Sequence, residues 1–110
     1  MADRNMRPIV MSELDTAFIS GTFTAFDAAG LPESCSIIRI INASDTPISI
    51  GYGGGDDHDR LRAGDTLQLD FQANSKQSLV ANLKKGTVVS IRGDAGTGLV
   101  YLVGYYQPVN

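Results

Sequence analysis

Apolar and polar positions alternate with a period of two along most of this chain. The clearest runs are Ile48, Ile50 and Tyr52, separated by Ser49 and Gly51, and Leu67, Leu69 and Phe71, separated by Gln68 and Asp70. Successive side chains of a strand point to opposite faces, so this spacing gives strands with one buried face. Between the two runs lie Gly53, Gly54 and Gly55, which can adopt positive φ without a Cβ clash and so let the chain turn back. The centre of the chain reads as a hairpin-like unit of two strands joined by a polar, acidic excursion.

The same pattern extends in both directions. Cys35 to Ile41 is the most apolar run, and Ile37, Ile38, Ile40 and Ile41 populate both parities, which places this strand centrally with contacts on each side. Arg39 shares the parity of Ile37 and Ile41; it either lays its stem over apolar surface or pairs with an aspartate. Asn42 to Pro47 reads as a turn. Asp15 to Phe26 fits two short strands or one strand with a bulge at Gly21. Asp27 to Glu33 is a turn punctuated by Gly30 and Pro32. Thr87 to Arg92 and Leu99 to Tyr106 read as strands, the last apolar on both parities, and Leu79 to Leu83 fits a short strand or a helical turn equally well.

No segment shows helical spacing, and turn signals recur every 8 to 15 residues. The expected fold is therefore all-β: a single-domain antiparallel β-sandwich, jelly-roll-like, over residues 13–110, preceded by an N-terminal arm over residues 1–12. The alternative is an immunoglobulin-like sandwich, although its Cys–Trp–Cys core signature is absent. Ile38, Ile40, Ile48, Ile50, Leu67, Leu69, Phe71, Val89 and Ile91 are the expected core.

Composition narrows the functional classes. The 110 residues are 43% hydrophobic and 19% charged, which suits one globular domain able to fold without staples. The net charge of −3 is concentrated: six aspartates face two arginines between residues 45 and 70. Nucleic-acid binding needs clustered Lys and Arg, so this balance argues against it. No apolar run approaches the roughly 20 residues of a membrane span, and the N-terminus lacks the apolar region of a signal peptide. The single Cys35 excludes an intrachain disulfide and reads as a packing residue.

Asp56-Asp57-His58-Asp59 is the one cluster with metal-ligating chemistry. Its spacing does not match a calcium loop, and a single histidine gives neither a two-His zinc motif nor an unforced catalytic triad. It reads as a solvated or partner-facing loop. The glycine runs at Gly51–Gly55 and Gly93–Gly98 lead to strands rather than helices, so they are turns and not phosphate cradles. No catalytic, cofactor-binding or metal-binding residues are expected, and the chain reads as non-enzymatic with no cofactor. The candidate interface residues are Arg4, Arg7, Asp56, Asp57, His58, Asp59, Tyr105 and Tyr106. Arg4 and Arg7 of the arm are positioned to reach an acidic loop on a neighbour.

A composite of segments carries a resemblance: Arg39 to Asp45, Ile48 to Tyr52, Asp57 to Asp59, Ala63 to Phe71, Lys85 to Val89, and Ala95 to Gly98 leading to Tyr101. Together, over residues 35–106, they resemble small structural proteins of tailed-phage virions. The resemblance implies a β-sandwich on a capsid or tail that acts as a cement, decoration, collar or fibre-anchoring component. It implies other virion structural proteins and further copies of the chain as partners, in a particle assembled in the host cytoplasm, and brings no catalytic residues. A small ligand- or carbohydrate-binding module is the competing class; it usually needs exposed aromatics, ideally Trp, and this chain has no Trp and four Tyr.

Overall fold

A computed structural model describes residues 7–53, 57–70 and 83–106. Nine strands run through them: β1 (Arg7–Pro8), β2 (Ser12–Asp15), β3 (Thr24–Ala25), β4 (Ile37–Ser44), β5 (Ile48–Gly51), β6 (Asp59–Leu61), β7 (Thr66–Asp70), β8 (Ser90–Arg92) and β9 (Gly98–Tyr106). A one-turn 3₁₀ helix at Thr16–Phe18 is their sole helical interruption.

The strands form two antiparallel sheets that pack as a β-sandwich. One sheet has the order β1/β2–β9–β4–β7, and the other β3–β8–β5–β6. Pairing nests from the outside of the chain inward: β2 with β9, β3 with β8, β4 with β7, and β5 with β6, alternating between sheets. This nested winding is the jelly-roll order rather than the immunoglobulin one.

The nesting corrects the hairpin reading. β5 and β7 do not pair, because they belong to different sheets. A third strand, β6, lies within the acidic excursion and pairs with β5 in register Ile48 opposite Leu61. Leu61 is the reason: it is 5% exposed and adds a buried position to an otherwise polar stretch. The chain then crosses between sheets through the turn at residues 62–65.

Alternation is most complete on β4, where Ile38, Ile40, Asn42 and Ser44 are buried while Ile37, Arg39 and Ile41 are half-buried and Ala43 exposed. Central placement between β9 and β7 accounts for the apolar residues on both parities. The strand runs on through Asn42, Ala43 and Ser44, so the turn is confined to residues 45–47. Ile48, Ile50, Val89 and Ile91 join Ile38 and Ile40 in the core, as their parity implies. Leu67 and Leu69 are only half-buried, because β7 is the last strand of its sheet among the described residues. Phe71 lies outside the described residues, as do residues 79–82; Leu83 makes an isolated bridge to Cys35.

Close packing bears on the two glycines of β9. Gly98, at φ +114°, opens β9 where a Cβ would come within 2.7 Å of the Ala43 carbonyl oxygen. At Gly104 a Cβ would stand 3.0 Å from both Cys35 Sγ and Ile9 Cδ1, so the bare backbone lets those side chains close the core. Gly21 marks no bulge. Asp15 caps the 3₁₀ turn by accepting from the Ala17 N–H, and the chain then crosses to the other sheet, where only Thr24–Ala25 pairs. Thr87 to Arg92 likewise contributes three paired residues, Ser90–Arg92.

Candidate functional site

The expected interface residues fall into two groups on different sheets. Arg7 lies in β1 opposite Tyr106, and Pro8 lies opposite Tyr105, so the described part of the arm is the edge of the first sheet. Asp57, His58 and Asp59 lie beside β5 and β6 of the second sheet. Arg4 and Asp56 are outside the described residues.

The acidic loop is solvent-exposed at Asp57 and His58 and is also tied down by its own chain. Arg92 grips Asp57 with two bonds, Nε to Oδ1 at 2.9 Å and Nη2 to Oδ2 at 2.7 Å, and its guanidinium stacks 4.8 Å above the Phe23 ring. The Arg92 hydrogen bond holds the Asp57 carboxyl below the usual carboxylate range, and the Asp57 carboxylate raises Arg92 in turn. Both groups are exposed, so the pair fixes loop geometry more than it stabilises the fold. The Tyr52 hydroxyl donates to Asp59 at 2.7 Å, and the Tyr52 N–H donates to His58 Nδ1 at 3.2 Å. Burial, then the Asp59 hydrogen bond, pushes the Tyr52 phenol well above its ordinary range. Among the described residues no group of three or more His, Cys, Asp or Glu side chains is placed to hold a metal ion.

Cys35 is fully buried, and burial pushes its thiol up to about 11, with the Glu33 charge adding to the shift. The thiolate needed for nucleophilic or ligating chemistry is therefore scarce at neutral pH. Arg39 lies on the half-buried outward face of β4 beside Val103, and its Nε and Nη2 both donate to Gln68 Oε1 on the neighbouring strand.

Two surfaces are available for recognition. The first is the outward face of β4 and β9. Their register sets Ile37 beside Tyr105, Arg39 beside Val103, Ile41 beside Tyr101 and Ala43 beside Leu99. All are half-buried except the exposed Ala43. This apolar stripe is two strands wide and is flanked by Thr66, Gln68 and Asp70 on β7 and by Glu13 and Asp15 on β2. An apolar centre with a polar rim is the composition of a protein–protein contact.

The second surface lies along the edge where β1 and β2 meet β3 and β8. Val10 is 88% exposed, Met11 52% and Phe18 82%. Val10 also lines a cavity of about 270 Å³, with Ile9, Phe26, Leu31, Pro32, Val89 and Leu102 as the other apolar parts of its wall. Reading along the sequence misses this edge, since Val10 and Met11 sit in the arm and Phe18 falls in a stretch that reads as one or two strands. The available signal was Asp15, whose capping preference ends a strand and leaves Phe18 on a turn.

The turns that follow β2, β4, β6 and β8 gather at one end of the sandwich, where polar side chains are buried and bonded although Phe18 projects from the first of these turns. Asn42 is its hub: fully buried, its Nδ2 donates to the carbonyls of Thr46 and Arg62 at 2.9 and 3.1 Å and more weakly to that of Leu61. Its Oδ1 accepts from the Ser44 N–H and hydroxyl. Thr16 donates to the Gly98 carbonyl, Thr46 to the Asp94 carbonyl, and Asp45 accepts from the Thr97 N–H.

No family model and no curated protein matches the sequence. Among solved structures, a chain from Bacillus endospore appendages, described as a novel family of disulfide-linked pili, has a similar fold. It aligns at a TM-score of 0.51 and 13% identity, over 96% of this chain and 91% of that one. At that identity the likeness concerns the fold. Among the described residues no helix is long and apolar enough to cross a membrane.

Proposed function

We propose that this chain is a non-enzymatic structural subunit, one copy in a symmetric assembly, that holds its neighbours by burying surface. The observation that carries the reading is the outward face of β4 and β9. Its sandwich core is already filled from the inner parity, yet Ile37, Ile41, Leu99, Tyr101, Val103 and Tyr105 add a second apolar layer facing away from it. An apolar stripe two strands wide, set within a polar rim, has the composition of a contact site.

The narrower form of the reading is a cement, decoration, collar or tail component of a tailed-phage virion, consistent with the segments quoted above. Jelly rolls also serve as viral capsid domains, although a fold alone does not assign a role. The pilus chain of similar fold supports the general class, an assembly subunit, without favouring a phage particle. Disulfide linkage does not carry over: the sole cysteine, Cys35, is fully buried, so joining copies through it would require opening the sandwich. Sedimentation of the isolated chain, with co-sedimentation on purified capsids and tails, tests the reading. Self-association or particle binding weakened by Tyr101→Asp is the expected result; a monomer that binds no particle component would overturn it.

A second reading, a carbohydrate-binding module, draws on Tyr101 and Tyr105, which stand on one sheet face four residues apart. A glycan-array signal lost in Tyr101→Ala and Tyr105→Ala would favour it.

A further inference from the structure

We infer that two copies of this chain associate side by side and antiparallel, each inserting Phe18 into the edge cavity of the other. This rests on the assembly reading above and names a contact distinct from the β4–β9 face. The hole lies between the edges of the two sheets, with Ile9, Phe26, Leu31, Pro32, Val89 and Leu102 supplying the apolar part of its wall. Its volume of about 270 Å³ is ample for a phenyl ring, since a cavity of roughly 150 Å³ already accepts benzene.

The knob is pinned outward. Thr16 is fully buried and bonded to the Gly98 carbonyl, Ile19 is 4% exposed, and Asp15 caps the turn between them, which leaves Phe18 82% exposed. Phe18 belongs to the connection from β2 to β3, so it stands on the same edge as the hole but at another height. Asp15 lies opposite Leu99, while the cavity wall reaches Leu102; three strand residues are about 10 Å. A knob and a hole offset along one edge satisfy each other in pairs about a two-fold axis, the commonest symmetry of homo-oligomers.

Charge favours the antiparallel arrangement. The end that carries Phe18 exposes Asp15, Asp45, Asp65 and Asp94 against Arg62. Lys84 and Lys85 belong to the turn joined to the cavity wall at Leu31, whose carbonyl accepts from the Gly86 N–H. Antiparallel packing brings the acidic end of one copy towards the lysine turn of the other, whereas parallel packing sets acid beside acid. Asp27 on the cavity rim and Glu33 beside the lysine turn offset these lysines, so the cavity end is close to balanced and antiparallel packing gains chiefly by keeping the two acidic ends apart. The exposed Val10 and Met11 at the cavity mouth would be covered in the same contact.

Sedimentation velocity of the full chain across concentrations tests the contact, with Phe18→Asp and Val10→Asp alongside and melting temperature as the check on folding. The wild type should form dimers that weaken in high salt, and each variant should raise the dissociation constant at least tenfold with its melting temperature unchanged. A mixture of Phe18→Cys and Thr87→Cys chains under a mild oxidant should give a disulfide-linked heterodimer that neither chain forms alone. Unchanged association of both Asp variants would overturn the contact. If association then depends on Tyr101 instead, the assembly reading stands without it; a wild type monomeric at every concentration and bound to no particle component removes both.

Discussion

The polar turn end and the apolar edge of this sandwich treat their side chains in opposite ways. At the turn end, polar groups are buried and bonded: Asn42, Thr16, Ser44 and Thr46 are all under a tenth exposed, and no buried side-chain donor or acceptor among the described residues lacks a partner. Along the edge, apolar groups are left open: Val10, more than four-fifths exposed, lines a cavity, and Phe18, equally open, projects further along from the turn after β2. Burying a polar group costs stability unless it is bonded, and exposing an apolar one forgoes stability. The first region therefore fixes how the turns meet, and on the proposed reading the second keeps surface for contact with another molecule.

The largest expected effect comes from breaking the hub. Asn42→Ala would strand the Ser44 N–H in the interior and leave the Thr46 carbonyl with the Ser44 hydroxyl alone and the Arg62 carbonyl with the Asp65 N–H alone; at about 1–3 kcal/mol for a buried group left unsatisfied, a loss of about 2–3 kcal/mol is expected. Chemical denaturation checks this, and a loss below about 0.5 kcal/mol, the level of an ordinary surface change, would deny the hub its role.

Leu69→Ala should cost less. A fully buried leucine loses about 2–5 kcal/mol on truncation, but Leu69 is half-buried on β7, so about 1–2 kcal/mol is expected by the same transfer and cavity terms. A greater loss than for Ile40→Ala would contradict the placement of β7 at the sheet margin.

A smaller effect, and one that depends on pH, is expected at Tyr52. Its folded-state pKa is raised by burial and by Asp59, so it stabilises the fold fully below the unfolded phenol value near 10. Above that value the unfolded chain releases the proton while the folded chain retains it, and stability falls as pH rises. Cys35, pushed up to about 11, acts in the same direction. Ultraviolet titration of the four tyrosines should show one that ionises only on alkaline unfolding. Tyr52→Phe should remove that late step and cost about 1 kcal/mol for the lost hydrogen bond.

The smallest effect on folding is expected at the edge. Phe18→Ser should change stability by less than about 0.5 kcal/mol, because the ring touches little of its own chain. A large destabilisation would mean that Phe18 belongs to the fold rather than to the contact surface.

How far the sequence could be read depended on the length scale of each feature. Period-two alternation located Ile38, Ile40, Ile48, Ile50, Val89 and Ile91 in the core, because burial parity is a local property of a strand. Pairing was not local. β5 and β7 look like a hairpin along the chain, yet the nested winding sends one to each sheet, and Asp59–Leu61 was too short and too polar to announce β6. Asn42 was read as a turn residue because Asn-Ala-Ser-Asp has turn composition. In the structure it continues the inward parity of Ile38 and Ile40, and its amide replaces apolar packing where four turns converge. The acidic loop is exposed, as its composition suggests, but its anchor is not legible along the chain, because Arg92 lies 35 positions from Asp57. The edge cavity is likewise assembled from separate segments, so no single stretch could signal it.

The most direct measurement of the central claim is the self-association of the wild-type chain, followed by sedimentation equilibrium over a wide concentration range. A mass that rises with concentration above the 11.7 kDa of one chain is the expected result. A constant mass of one chain at every concentration, in low and high salt alike, would contradict the assignment of the apolar edge and the β4–β9 face to contacts between copies.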